Sequence, residues 1–445
     1  HLREEAWRAW ANRGANGGDT DNRELLAETI RLRAELSKLM GFETYADYVL
    51  SDTMAKTPAA VNELLQRVWK PARARALEER DALSERARQE GSTAPLEAWD
   101  WRHYAEKERK ARYDVDEGEL RGYLQLDQMI AAAFDTAGRL FGVKFKEITD
   151  APRYHPDVLV WEVTNKKGEH VAVFMGDYFA RPGKRSGAWM SSFRKAHNLG
   201  RSPVRPIVVN VLNFAKGADG APTLLSWDDA RTLFHEFGHG LHGMLSQTTY
   251  PSLAGTAVDR DFVELPSQLF EHWLGEQEVL ERFARHYKTG KPMPKAMMKK
   301  LRRAETFNQG FATVEYLACA LVDMDLHAQN ESQVDALDVA EFEQQALEDI
   351  GMPSEIIMRH RLPHFMHITG GYAAGYYSYM WSEVMDADAF QAFKEAGDVF
   401  DRKTARRLKQ HIYSAGNSRD PEEAWLAFRG RPPEVKGLLK KRGFA

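Results

Sequence analysis

With 445 residues, the chain is long enough to bury a large core and to hold more than one subdomain. Its 65 acidic and 61 basic residues nearly cancel, which argues against a general nucleic-acid or anionic-membrane binder. One cysteine, Cys319, excludes an intrachain disulfide, and no apolar run reaches the roughly 18 residues of a membrane-spanning helix.

Residues 1–150 read as helical. LREEAWRAWANRG and NRELLAETIRLRAELSKLMG both close on glycine, a helix-stop signal, and the second has helical spacing at Leu25, Ile30, Leu32, Leu36 and Leu39. The Arg/Glu-rich stretch after it reads as solvated helix faces. Trp99 to Tyr113 is aromatic and basic, and reads as a helix with buried rings and amphipathic cations rather than a peptide-facing wall. His103 is not counted among the metal ligands. A further helix ends near Gly142.

The period then changes. Residues 151–215 read as a small β part, with a hairpin around Asn165-Lys166-Lys167-Gly168 and an apolar strand at 207–215. From 216 to 445 the chain reads as helical again, and Cys319 falls in a run that suits a small buried thiol. No repeat, low-complexity tract or linker divides the chain into independent domains.

The chemistry concentrates in SWDDARTLFHEFGHGLHGMLS, residues 226–246. Ser226 is a candidate N-cap, Asp228 and Asp229 suit the first turn, and Leu233, Phe234, Phe237, Leu241, Met244 and Leu245 recur at helical spacing as a buried side. His235 and His239 stand one turn apart on one face, so both can reach one metal ion, and Glu236 is placed to act as a general base beside them. Gly238 and Gly240 cost helix propensity, which points to close approach of another backbone. His242 lies on nearly the same face, but three donors in a row on one straight helix do not close a tetrahedral shell easily. A ligand from another element fits better. Glu264, Gln268 and Glu271 share a helical face downstream and offer Glu264; Asp261, Gln268 and Glu271 are candidates to orient the histidines.

HEFGH, followed 25 positions later by the glutamate of DFVELPSQ, resembles the thimet oligopeptidase family of zinc metallopeptidases, and the likeness runs along the whole chain to Phe444. The resemblance implies a mainly α zincin-type fold, with helical lobes around a deep channel and a small sheet beside the HExxH helix. It implies one Zn²⁺ held by His235, His239 and Glu264, with Glu236 as base. It also carries over onto HFMHITGGYAAGYYSYMWSE, residues 364–383: His367, Tyr372 and Tyr379 match residues that stabilise the transition state, and Tyr376 and Gly371 match residues lining the site. For Tyr377 a core role is the better reading. Gly187, Ala188 and Trp189 are the candidate strand for binding an extended peptide.

The expected activity is release of C-terminal dipeptides from oligopeptides, as in the family's dipeptide-releasing bacterial branch. Internal cleavage of short peptides is the first alternative, and a non-catalytic peptide binder is the alternative of another class. The intact Glu236 argues against the binder. Arg181, Lys184, Arg185 and Arg260 are candidates to capture a substrate carboxylate. The resemblance also implies an N-terminal portion of the same protein as a partner. The expected location is the cytoplasm, with the periplasm left open because the chain starts at His1.

Overall fold

Helices carry most of the chain, and the change of period after residue 150 marks where the sheet lies. The computed structural model describes residues 2–114, 116–218 and 220–445. It divides into two compact units, one made of His1–Asp114, Arg303–Trp381 and Leu439–Ala445, the other of Val115–Arg302 and Ser382–Leu438. This division does not follow the sequential blocks 1–150, 151–215 and 216–445. Two of the crossings, at 302/303 and 381/382, fall inside the helices Lys295–Ala304 and Ser378–Glu395, where the sequence does not mark them.

The first unit is built from helices. Pro58–Gln89 packs along Gln309–His327, whose residues are buried on nearly every side. Cys319 sits in that second helix, fully buried, and burial pushes its thiol up to about 12, as expected for an inert core residue. Trp101–Tyr113 forms the expected helix, with Trp101 buried against Phe311 at 4.9 Å. Arg23–Leu39 also forms, but it turns Leu26, Ile30 and Ala34 inward. Leu25, Leu32, Leu36 and Leu39 lie on the outward side, with Leu39 85% exposed. The spacing identified a helix; only Ile30 of the five residues faces the core.

The second unit holds a five-stranded sheet, in the order β1-β2-β3-β5-β4. The strands are β1 (Val143–Glu147), β2 (Leu159–Asn165), β3 (His170–Phe179), β4 (Trp189–Arg194) and β5 (Ile207–Phe214). The hairpin is β2–β3, and Asn165 Oδ1 accepts from the Lys167 and Glu169 amides across its turn. The helix Leu126–Phe141 stops at Gly142 in the left-handed region, and β1 follows at once, a strand that the sequence reading missed. β3 and β5 run parallel, while β4 pairs antiparallel with β5 and lies at the sheet edge.

One face of this sheet supports the helix Trp227–Met244, which carries the HExxH residues. Ser226 Oγ accepts from the Asp229 amide, and Asp229 returns a bond to the Ser226 amide, a closed capping box. The apolar face buries Leu233, Phe234, Phe237, Leu241, Met244 and Leu245. A Cβ at Gly238 would lie 2.7 Å from both Pro266 O and Ser267 Cα, so the missing side chain lets the helix Leu265–Glu271 pack backbone to backbone. That contact brings Glu264, at the cap of the second helix, over the histidines of the first.

Candidate metal centre

His235, His239 and Glu264 converge. Their ligand atoms all lie within 4.8 Å of one another, the one such group of three found among the described residues. Glu264 Oε2 stands 3.2 Å from His235 Nε2 and 3.1 Å from His239 Nε2. A tetrahedral zinc with bonds of about 2.0–2.1 Å places neighbouring ligand atoms about 3.4 Å apart, so this donor set fits the ion. The single Ser267 hydroxyl hydrogen lies between the Glu264 carbonyl, at 2.8 Å, and Glu264 Oε2, at 3.1 Å.

Glu271 Oε1 accepts from His235 Nδ1 at 2.6 Å. That bond leaves Nε2 as the nitrogen that would meet a metal, the arrangement of a carboxylate-oriented metal histidine. Of the three orienting candidates, Glu271 makes this contact; Asp261 instead accepts from Ser382 Oγ through its carbonyl. One residue on, His272 Nε2 meets the buried Asp386 carboxylate at 2.6 Å and stacks on Phe390. This pair was not anticipated, because 114 residues separate its members.

The electrostatics follow from burial. Burial alone would depress His235, yet its hydrogen bonds to Glu264 and Glu271 hold it well above the ordinary range. Glu264, which burial would raise, is held well below its usual range by His239 and His235. Glu236 is raised by desolvation against the pull of both histidines. Its Oε2 is buried with no hydrogen-bond partner among the described residues. A buried carboxylate oxygen in that state can accept a hydrogen bond from a water. His242 takes no part in the triad: it is fully buried, and burial holds its ring down to about 3.

In the same unit, Trp189 opens β4 and pairs with Val211, and Asn213 Nδ2 donates to the Arg185 and Gly187 carbonyls, tying down the approach to the edge strand. Gly187 has φ +94°, a conformation that favours glycine. Arg181 and Lys184 are not available to a substrate carboxylate. Both pair with buried Asp177, at 2.6 and 2.9 Å, and Lys184 also donates to the Phe179 and Leu212 carbonyls. Burial would raise Asp177, but Arg181, Lys184 and Tyr154 hold it down to about 2. Arg185 lies over the Trp189 ring at 4.5 Å.

His367, Gly371, Tyr372, Tyr376 and Tyr379 belong to the first unit. There they form one aromatic cluster. Tyr372 and Tyr379 stack at 5.3 Å and 8°, and the His367 ring lies 5.9, 5.0 and 6.2 Å from those of Tyr372, Tyr376 and Tyr379. Tyr376 is nearly buried and Gly371 is exposed. Tyr377 is fully buried, in keeping with a core role.

The fold is shared with known metallopeptidases. The apo-Mg form of a Pyrococcus furiosus carboxypeptidase superposes with a TM-score of 0.56 at 11% identity, over 100% of this chain and 78% of that one. A Trypanosoma cruzi metallocarboxypeptidase gives 0.55 at 11%, over 99% and 78%. Sequence relatives are nearer. The chain is 41% identical to the dipeptidyl carboxypeptidase of Salmonella typhimurium, over 99% of its length and 65% of that protein. It is 40% identical to that of Escherichia coli over the same shares, and 36% identical to oligopeptidase A of Salmonella typhimurium over 99% and 66%. It therefore spans about 65% of the length of the dipeptidyl carboxypeptidases it matches. The model of peptidase family M3 matches residues 1–444, and with the metal triad and the shared fold behind that match, the chain belongs to peptidase family M3.

Proposed function

We propose that this chain carries the catalytic centre of a zinc peptidase that releases C-terminal dipeptides from oligopeptides. The observation that carries the reading is the meeting of two imidazoles and a buried carboxylate beside Glu236, whose Oε2 has no partner among the described residues. His235, His239 and Glu264 would hold one Zn²⁺. Bound there, zinc supplies Lewis acidity that makes water a better nucleophile at neutral pH and polarises the scissile carbonyl. Glu236 takes the proton from the attacking water and returns it to the leaving nitrogen. By the resemblance, His367, Tyr372 and Tyr379 donate neutral hydrogen bonds to the oxyanion, and each such donor is worth about 10²–10³ in rate. Gly187, Ala188 and Trp189 lead into an edge strand able to pair with an extended peptide. By the resemblance, Gly371 and Tyr376 match residues that line such a site.

Dipeptide release is preferred because the two relatives named dipeptidyl carboxypeptidase are 41% and 40% identical. The oligopeptidase A likeness at 36% supports internal cleavage as the second reading. The reading extends to an N-terminal portion of the same protein as partner, for which the outward leucines of Arg23–Leu39 offer an apolar seat. A cytoplasmic location accords with the single cysteine.

An N-acetylated decapeptide, followed by mass spectrometry, tests the proposal. Successive dipeptides from the C-terminus are expected, and a single internal cut would select the second reading. Chelation should abolish turnover and zinc should restore it. Turnover that persists in metal-free protein would remove both readings.

A further inference from the structure

The tyrosine segment is held from behind by one helix. Gln309–His327 presents Tyr316 and Asp323, two turns apart on one face. Tyr316 Oη donates to the Tyr376 carbonyl at 2.7 Å and accepts from the Met380 amide at 3.1 Å. Asp323 Oδ1 accepts from the Ala374 amide and Oδ2 from the Tyr376 amide, each at 3.0 Å. Asp323 is 0% exposed, so both bonds are shielded from water. They grip the backbone where it needs holding, because Ala374 has φ +50°, a conformation unfavourable for a residue with a Cβ.

Asp323 is itself braced. His327 Nε2 faces the Arg33 guanidinium at 2.9 Å, and a guanidinium only donates, so Nε2 is the acceptor and Nδ1 carries the hydrogen. Nδ1 donates to the Asp323 carbonyl at 2.9 Å and lies equally close, 2.9 Å, to Asp323 Oδ1. Arg33 in turn lies over the Tyr45 ring at 5.2 Å. Arg33, His327 and Asp323 thus form a chain from the helix Arg23–Leu39 to the backbone between Tyr372 and Tyr379.

We propose that Asp323, braced by His327 and Arg33 and assisted by Tyr316, is a positioning residue that sets the geometry of the Tyr372, Tyr376 and Tyr379 side chains for catalysis. It touches no reacting atom in this scheme; it acts through the backbone that carries the tyrosines. The inference rests on the reading that Tyr372 and Tyr379 serve the reaction.

The test is a mutant series on the full chain, with peptide kinetics, zinc content and hydrogen exchange measured together. Asp323→Asn keeps the shape but turns an amide donor toward one of the two backbone N–H groups. It should lower kcat at least tenfold with KM within about threefold, leave bound zinc unchanged, and speed exchange in residues 370–380. Tyr316→Phe is the milder second variant, with the same direction of effect, and decides the matter if Asp323→Asn does not fold. On a Tyr379→Phe background, either substitution should cost less than on the wild-type chain, because the donor it positions is already gone. Full additivity, or a wild-type kcat for Asp323→Asn or, where that variant does not fold, for Tyr316→Phe, would overturn the inference while leaving the tyrosine reading intact. A wild-type kcat for both Tyr372→Phe and Tyr379→Phe would instead overturn the underlying reading.

Discussion

Glu236 illustrates how a residue's surroundings set its chemistry. Its carboxylate is buried one residue from His235, and one oxygen has no partner among the described residues, so the protein bears a desolvation cost there, which agrees with the proposed role as base. Glu236→Gln should keep the metal, since the amide leaves all three ligands in place. It should lower kcat by about 10²–10⁴, the usual worth of a general base. Metal content by atomic absorption beside turnover separates the two effects. Glu271 acts at one remove, by fixing the ring of His235. Glu271→Ala should weaken zinc binding by about 10–100-fold, read by competition against a chelating dye. The pair His235 and His239 was legible because one helical turn separates them, and Glu264, 25 positions on, came from the motif resemblance; the three do meet. The orienting role was narrowed only to Asp261, Gln268 and Glu271, because helical spacing cannot say which side chain meets a ring on another helix. Asp323 carried no signal at all: its partners at 374 and 376 are some 50 positions away, and they are backbone amides, which have no sequence signature.

At the scale of elements, the centre depends on how closely two helices approach. The glycine at position 238 makes room for the backbone of Pro266 and Ser267, and those atoms have little freedom to retreat. Gly238→Ala gains up to about 1 kcal/mol of helix propensity. It also inserts a methyl where no volume exists, at a typical cost of about 1–3 kcal/mol. The net effect should be destabilising, seen in thermal or urea denaturation. Because Glu264 rides on the displaced helix, the variant should also bind zinc more weakly; a stable variant with full zinc affinity would count against this account of the packing. The sequence supplied this element in detail, from the Ser226 cap to the buried face and the need for a close neighbour. It supplied the β2–β3 hairpin as well, through the Asn165–Gly168 turn. The strand order it did not supply. β5 inserts between β3 and β4 through long-range pairing, and β1 is a short polar strand, VKFKE, whose only cue is the glycine before it.

At the scale of the molecule, two interleaved units share one chain, and their buried titratable groups respond to acid in different windows. In the second unit, His242 is buried with neither ring nitrogen hydrogen-bonded among the described residues, and burial holds its ring down to about 3 against an ordinary 6.5. As pH falls through 6.5 the unfolded chain takes up a proton that the folded chain refuses. Stability therefore drops from about pH 6.5 down to about pH 3, by up to about 1.4 kcal/mol per pH unit. Asp177, held down to about 2 from 3.8, adds stability that is complete above 3.8 and is lost only as pH falls below it. In the first unit Asp325 works the other way: burial and Asp349 raise it to about 6, so its contribution is present below 3.8 and fades as pH rises through 6. These opposing trends partly cancel in the intact protein, so a bare pH–stability curve does not isolate any one of them. His242→Leu does. Asp325 and Asp177 are the same in both proteins, so the difference between variant and wild type reports His242 alone. Urea midpoints at pH 7 and pH 5 should show the variant losing less than the wild type, by up to about 2 kcal/mol over that step. Equal losses would mean that His242 is hydrated or paired in solution rather than buried neutral against Tyr413.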